Sequence, residues 1–358
     1  MFDFTYQALP GRVVFRPGGF AALAEEAASL GRRALVLSTP EQCSLAERAA
    51  DLLGHATAGL FSGAVMHVPV GTVDAARREF ARLDADLCVA VGGGSTVGLA
   101  KALALATGCP ILAVPTTYAG SEVTPIWGLT EGAAKKTGRD LRVMPRTVIY
   151  DPVLTLSLSP KSSITSGINA IAHCIEALYA RDTNPILQLI AEEGIRALAS
   201  SLPIIARQPD DLVARSRALY GAWLAGTCLG SAGVALHHKL CHALGGTFNL
   251  PHAETHTIIL PHAVAYNHEA APEAMRRLAT ALGTDDPPAA LFDLARAAGV
   301  PTALKDIGMP ADGIDRALAA ALSAPYWNPA AIVPDKIRAL LVDAFAGTRP
   351  TASRWAQP

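Results

Sequence analysis

What this sequence has little of is net charge. Its 30 Lys and Arg stand against 31 Asp and Glu, the charged residues make up only 17% of the chain, and the sum is −1. No run of like charge stands out, so there is no electrostatic footprint for nucleic acid or an anionic membrane surface. Pairs of cysteines are missing too. The six (Cys43, Cys88, Cys109, Cys174, Cys228, Cys241) are widely spaced with no CxxC. That pattern predicts reduced, mostly buried thiols in a cytoplasmic protein rather than a disulfide framework. The start, MFDFTYQALPGRVVF, lacks a basic segment followed by an apolar one and predicts no secretory leader. No apolar run reaches the roughly 18 residues that span a bilayer; stretches such as LALATGCPILAV are broken by Gly and Pro.

What is present is apolar mass: 51% of 358 residues, enough for two domains with substantial cores. The first part alternates in βα fashion. RVVF (12–15) opens as a strand, GGFAALAEEAASLG reads as an amphipathic helix, RALVLST (33–39) as a buried strand and SLAERAADLLG as the next helix. A short apolar segment at Gly59 to Phe61, the helix VDAARREFARLDA and the strand DLCVAVGGG follow. Such alternation predicts a parallel sheet covered by helices on both faces, with ligands at the carboxyl ends of its strands. Between Ile126 and Ile149, two strand-like runs flank the polar TEGAAKKTGRD, which predicts a hairpin. Beyond Asp151-Pro152 strand signals nearly vanish, and 164–180, 185–202, 212–230 and 234–244 carry helical periodicity. We therefore expect an α/β domain over 1–157 and an all-helical domain over 158–358, the active site lying in a cleft between them and RPTASRWAQP forming a frayed tail.

Two strand ends carry nucleotide-binding chemistry. The strand at 86–91 runs into Gly92-Gly93-Gly94-Ser95-Thr96, and a helix begins at once. Glycines admit a close approach of ligand to backbone, and exposed N–H groups at a helix start attract a pyrophosphate. The pattern is not G-x-G-x-x-G, since Val97 takes the third glycine's place, and a plain tight turn is the competing reading. The next strand delivers Thr116, Thr117 and Ser121 to the same edge, where hydroxyls suit ribose and phosphate. Lys136, on the hairpin, reads either as a cofactor contact or as a solvated side chain. The second strand ends Leu37-Ser38-Thr39-Pro40 with no acidic residue before Glu41. Ser38 there would not repel a 2′-phosphate, so NADH with NADPH tolerated is the expected usage.

The second chemical feature is histidine. Seven of the ten lie between His237 and His268. His238 and His242 are spaced i, i+4, as are Asn169 and His173, so each pair shares one helix face. His252 follows a Gly-Gly and a proline, where a short loop is expected to fold it back toward that face. The neutral amide of Asn169 stands where a divalent cation would prefer a carboxylate. Three readings follow: a cation held with Asn169 as a weak carbonyl ligand, a metal-free proton and substrate site, or histidines that satisfy one another in a helical core.

Taken together, GGGSTVGLAKALAL (92–105), PTTYAGSEVTPIWGLTEGAAKKTGRDLRVMPRTVIYDP (115–152), SGINAIAHCIEALYA (166–180) and HHKLCHALGGTFNLPHAETHTIILPH (237–262) resemble the iron-dependent alcohol dehydrogenase superfamily, and within it the maleylacetate reductase branch. The resemblance covers nearly the whole chain. It implies a Rossmann-like nucleotide-binding domain plus an all-α domain, the fold shared with dehydroquinate synthase, and assembly as a homodimer. Metal-dependent members hold their ion with one Asp and three His; the matching positions are Asn169, His173, His238 and His252, with His242 beside the nicotinamide site. The carboxylate is missing, and Gly98 replaces the Asp of the superfamily's GGGS-x-x-D motif. Both departures match the branch, which implies that no metal is needed. The implied reaction is NAD(P)H-dependent reduction of the carbon–carbon double bond of a small dicarboxylate, with His242 and His252 polarising and donating protons while Asn169, His173 and His238 position the substrate. A metal-dependent alcohol dehydrogenase and a dehydroquinate synthase-like lyase are the alternatives.

Overall fold

The structure, a computed structural model, describes residue 4, residues 6–132 and residues 134–355. The chain divides into two compact units: residues 8–158 form one, and residues 159–358 form the other together with the described residues before Ala8, which the sequence had assigned to the α/β domain. The first contains β1 (Arg12–Phe15), α1 (Leu23–Ala28), β2 (Ala34–Leu37), α2 (Cys43–Leu53), β3 (Thr57–Phe61), α3 (Val70–Arg82), β4 (Leu87–Gly92), α4 (Gly94–Thr107), β5 (Ile111–Pro115), β6 (Ile126–Glu131), β7 (Ala134–Arg139) and β8 (Thr147–Tyr150). Six strands form one parallel sheet in the order β1-β8-β5-β4-β2-β3.

The sheet is covered on both faces because its central strands β2, β4 and β5 carry no polar side chain and are buried at every position. Leu35 and Leu37 of β2 and Cys88 and Ala90 of β4 pack with Val73, Ala76 and Phe80 of α3 and Leu99 and Leu103 of α4. The alternate residues Ala34, Val36, Leu87, Val89 and Val91 point the other way, onto Leu23, Ala27, Ala46 and Ala49 of α1 and α2. This two-residue alternation is the pleat read out as packing. Chain connections leave β2 and β4 in opposite directions, which makes the gap beyond their carboxyl ends the topological switch point.

Two polar anchors tie the loops of this unit. Asp151 accepts backbone bonds from Gly18 and Phe20 as well as from Val153, fastening the β1–α1 loop to the end of β8. Lys101, on α4 and only 2% exposed, donates from Nζ to the carbonyls of Ser121, Thr124 and Ile126 and to Thr124 Oγ1, all within 2.8 Å. Burial draws its ammonium down to about 7, against the opposing pull of the Glu122 carboxylate.

Several local expectations are revised. The first helix is a 3-10 turn (Gly19–Ala22) followed by only six α-helical residues. The hairpin forms, but most of the polar stretch assigned to its turn is itself strand β7, Ala134–Arg139. Residues such as Lys136 are tolerated in a strand there because this two-stranded ribbon stands apart from the main sheet, with exposed positions.

The second unit is helical: α5 (Pro160–Tyr179), α6 (Pro185–Arg207), α7 (Leu212–Ser231), α8 (Leu236–Phe248), α9 (His252–Asn267), α10 (Pro272–Leu282), α11 (Pro287–Ala297), α12 (Ile314–Ala321) and α13 (Pro334–Ala346). Side-chain oxygens of Ser159, Asn184, Asp211 and Asp286 cap α5, α6, α7 and α11. Among the described residues no single helix is long and apolar enough to cross a membrane. All six cysteines are free thiols, five of them buried. The expected frayed tail is instead held as far as Trp355, whose ring lies 5.8 Å from that of Tyr266; residues 356–358 lie outside the described residues.

His262, in the middle of α9, is 3% exposed and its Nε2 has no partner. Burial lowers it from 6.5 to about 4, with Asp343 opposing. The folded value lies below the unfolded one, so the native state takes up fewer protons in that window. Stability is therefore intact above pH 6.5 and lost as pH falls toward 4. The shift corresponds to about 3 kcal/mol. In denaturant titrations across this window, His262→Leu is expected to fall less steeply with acid than the parent by roughly that amount; equal slopes would contradict the assignment.

Candidate active site

In the first unit, the glycine turn sits at the switch point. Gly92 ends β4 with φ 152°, a conformation that favours glycine. A Cβ there would fall 2.5 Å from both Gln42 Oε1 and Thr96 Oγ1, and one on Gly93 would fall 2.8 Å from Thr117 Cγ2. Gly94 opens α4, so the first N–H groups of a 14-residue helix follow the turn directly. The structure thus brings Gly92, Gly93, Gly94, Ser95, Thr96, Thr116 and Thr117 to one sheet edge. Thr96 Oγ1 and Ser121 Oγ are buried without a hydrogen-bond partner, which fits a bound ligand's polar atoms.

Two predicted residues lie otherwise. Ser38 is fully buried, and its hydroxyl donates to Ser62 Oγ at 2.9 Å. Lys136 is 63% exposed and pairs with Glu131 at 2.6 Å on the hairpin. Sequence reasoning missed Gln42, whose Nε2 donates to Thr116 Oγ1 at 2.7 Å and so links the chain after β2 to that after β5. Its only signal was its place just beyond the second strand.

In the second unit, α5 presents Asn169, His173 and Glu176 at spacings of four and three, hence on one face. All are buried, at 6%, 6% and 1% exposure. His173 Nδ1 lies 2.9 Å from His238 Nε2, and the rings stack at 4.9 Å. His238 Nδ1 lies 2.7 Å from Glu176 Oε2. The same carboxylate accepts from the backbone N–H groups of Ala235 and His237, each at 2.8 Å, at the start of α8.

His242 follows one turn along α8 and is exposed, with its ring 6.1 Å from that of His238. The Gly245-Gly246 pair expected to turn the chain is instead inside α8. The reversal comes at Asn249, in the left-handed region, followed by Leu250 and Pro251. His252 is accordingly not a loop residue but the first residue of α9. Its exposed ring approaches His256 to 4.3 Å. His256 in turn lies 5.1 Å from His238 and 4.8 Å from His237, and its Nδ1 is 2.9 Å from His237 Nε2.

All five predicted residues are therefore gathered with three more: Glu176, His237 and His256. Burial first, and neighbouring imidazoles second, hold His237 and His256 well below 6.5. Burial and the Glu176 charge push the nearby Cys241 thiol up. Glu176 was legible as the residue three beyond His173, and His256 as the one four beyond His252.

Comparison with known proteins places these features in a family. Residues 10–152 match the model described as iron-containing alcohol dehydrogenase, and residues 163–345 match the C-terminal model of the Fe-containing alcohol dehydrogenase family. The chain is 58% identical to a maleylacetate reductase of Sphingobium indicum, over 97% of this chain and 99% of that one. It is 55% identical to one of Burkholderia cepacia over the same shares. A solved maleylacetate reductase from Agrobacterium tumefaciens superposes with a TM-score of 0.94 at 50% identity, covering 98% of this chain and all of the other.

Both family descriptions specify iron, which overturns the expectation that no metal belongs to this chain. The residues at the family's ligand positions fit such a cation. Asn169 Oδ1 is a buried oxygen with no hydrogen-bond partner. Glu176 contacts Nδ1 of His238 and so directs Nε2 inward, an arrangement typical of metal-ligating histidines. The departure is one of charge, since an amide oxygen replaces an anion. The chain belongs to the iron-containing alcohol dehydrogenase family and, within it, to the maleylacetate reductases.

Proposed function

We propose that this chain reduces the carbon–carbon double bond of maleylacetate with NADH, tolerating NADPH, to give 3-oxoadipate. The observation that carries this reading is the buried Asn169–His173–His238 cluster, with its amide in the carboxylate's place, in a chain 58% identical to a protein named for that activity. When bound, NAD(P)H supplies the hydride, and iron supplies a Lewis acid for the ketone oxygen. Asn169, through Oδ1, with His173, His238 and His252 would hold the iron.

The substrate offers an alkene conjugated to a ketone, so addition at the carbon β to the ketone yields an enolate. What the protein must provide is a group for the enolate oxygen and a proton for the α carbon. His242, the exposed imidazole of the cluster that does not hold the iron, supplies the proton. Asn169, His173 and His238, all buried and the two imidazoles fixed on each other, set the position of the substrate. The turn Gly92–Thr96 with Thr116, Thr117 and Ser121 binds the nucleotide, its pyrophosphate at the start of α4. No carboxylate follows β2 before Glu41, which leaves room for a 2′-phosphate. The free thiols accord with a reducing compartment, so the proposal places the enzyme in the cytoplasm.

The direct test is NADH oxidation with freshly generated maleylacetate, with 3-oxoadipate identified as the product. Turnover only with simple alcohols and NAD+ would refute the reading. Gly92→Ala, by pushing a methyl into Gln42 and Thr96, is expected to weaken NADH binding about tenfold or more in a fluorescence titration, with helical content unchanged; an unaltered Kd would remove the turn from the nucleotide site. Asn169→Asp restores an anionic oxygen donor and is expected to tighten ferrous iron binding by at least about tenfold, measured by competition with a chelator. Equal affinity would show that Asn169 does not face the cation.

A further inference from the structure

We propose that Glu176 is the positioning residue of the histidine cluster: it locks the proton of His238 on Nδ1 and thereby sets the tautomer of His173 as well. Two of the donors have no choice. The backbone N–H groups of Ala235 and His237 can only donate, and each gives its bond to a different oxygen of the Glu176 carboxylate, at 2.8 Å. That carboxylate sits at the start of the 13-residue α8, where the helix's positive end favours an anion. An anionic carboxylate accepts and does not donate. The nitrogen of His238 at 2.7 Å from it, Nδ1, must therefore carry the proton.

The rest follows by elimination. At the mildly alkaline pH where an imidazole carries a single proton, that proton on Nδ1 leaves Nε2 of His238 with its lone pair, which points toward His173 Nδ1 at 2.9 Å. Two lone pairs do not face each other at that distance, so His173 donates from Nδ1 and keeps its own lone pair on Nε2. One carboxylate thus dictates which nitrogen is basic on two successive imidazoles.

A purely structural cap would need only the two backbone bonds. The third, and the shortest, goes to an imidazole of α8 that lies against His173, on the α5 face that also carries Asn169. The same tautomer serves iron, since a ligating Nε2 carries no proton either. Glu176 itself touches no reacting atom; it acts through His238.

The test uses the full-length chain labelled with 15N-histidine, at mildly alkaline pH, in zinc-loaded and chelator-treated forms. His173 and His238 are assigned with His173→Gln and His238→Gln. Long-range 1H–15N spectra are expected to show His238 protonated on Nδ1 and bare on Nε2 in both forms, and His173 protonated on Nδ1 in the chelator-treated form. A proton on Nε2 of His238 would overturn the proposal, and this spectrum needs no variant at position 176 to fold. In Glu176→Gln, His238 is expected to populate the opposite tautomer.

The kinetic arm rests on the maleylacetate reading and the spectroscopic arm does not, so the two fail separately. For Glu176→Gln, kcat should fall about tenfold or more, with KM within about threefold, and Glu176→Asp should recover part of kcat. A folded Glu176→Gln with unchanged tautomers and unchanged kcat would reduce Glu176 to a helix cap and overturn the proposal.

Discussion

The organisation of the helical unit around its site depends on one buried carboxylate with three donors converging on it. Glu176 joins α5 to the first residues of α8 through two backbone bonds and to His238 through a third. The bonds that fix where α8 begins also fix which face of it meets α5. His238 comes to lie against His173 because the backbone of Ala235 and His237 is held, and His242 is carried one turn further along. An unpaired charge at 1% exposure would be costly; three charge-assisted bonds offset that cost and leave a rigid frame for imidazoles that have little other reason to crowd together.

The crowding has an electrostatic consequence. Rings of His173, His237, His238, His252 and His256 lie within 4.3 to 6.5 Å of a neighbour, and several protonated at once would repel strongly in a dry interior. Burial settles the matter for His237 and His256, which are kept neutral. His242 and His252, by contrast, stand at the exposed rim of the cluster. The amide of Asn169 adds no charge to this group, and among the described residues the carboxylate hydrogen-bonded to its buried imidazoles is Glu176.

Much of this was legible beforehand because period and punctuation agree with tertiary structure. The continuous apolar strands around Val36 and Val89 could only be central strands of a covered parallel sheet, and the glycine turn after Val91 marked the switch point. Side-chain pairs at i, i+4 placed Asn169 with His173, and His238 with His242, correctly on shared faces. What escaped was whatever depends on a partner distant in sequence. Gly245-Gly246 reads as a turn, yet packing keeps both in α8 and moves the reversal to Asn249. The polar run of β7 does not look like a strand because its ribbon has little core to face. Ser38 is at a strand end as expected, but Ser62, from the neighbouring strand's end, takes its hydroxyl inward. No pattern in α4 distinguishes Lys101 from a surface lysine.

That lysine does the work other proteins assign to a coordinated potassium or sodium ion. Its amino group sits among three main-chain carbonyls and a threonine hydroxyl, and it is tethered to the same helix that opens on the glycine turn. Because the amino group is covalently part of the chain, the segment from Ser121 to Ile126 is held without drawing a monovalent ion from the surrounding salt, and the only equilibrium left to it is that of a proton, which burial brings to about 7.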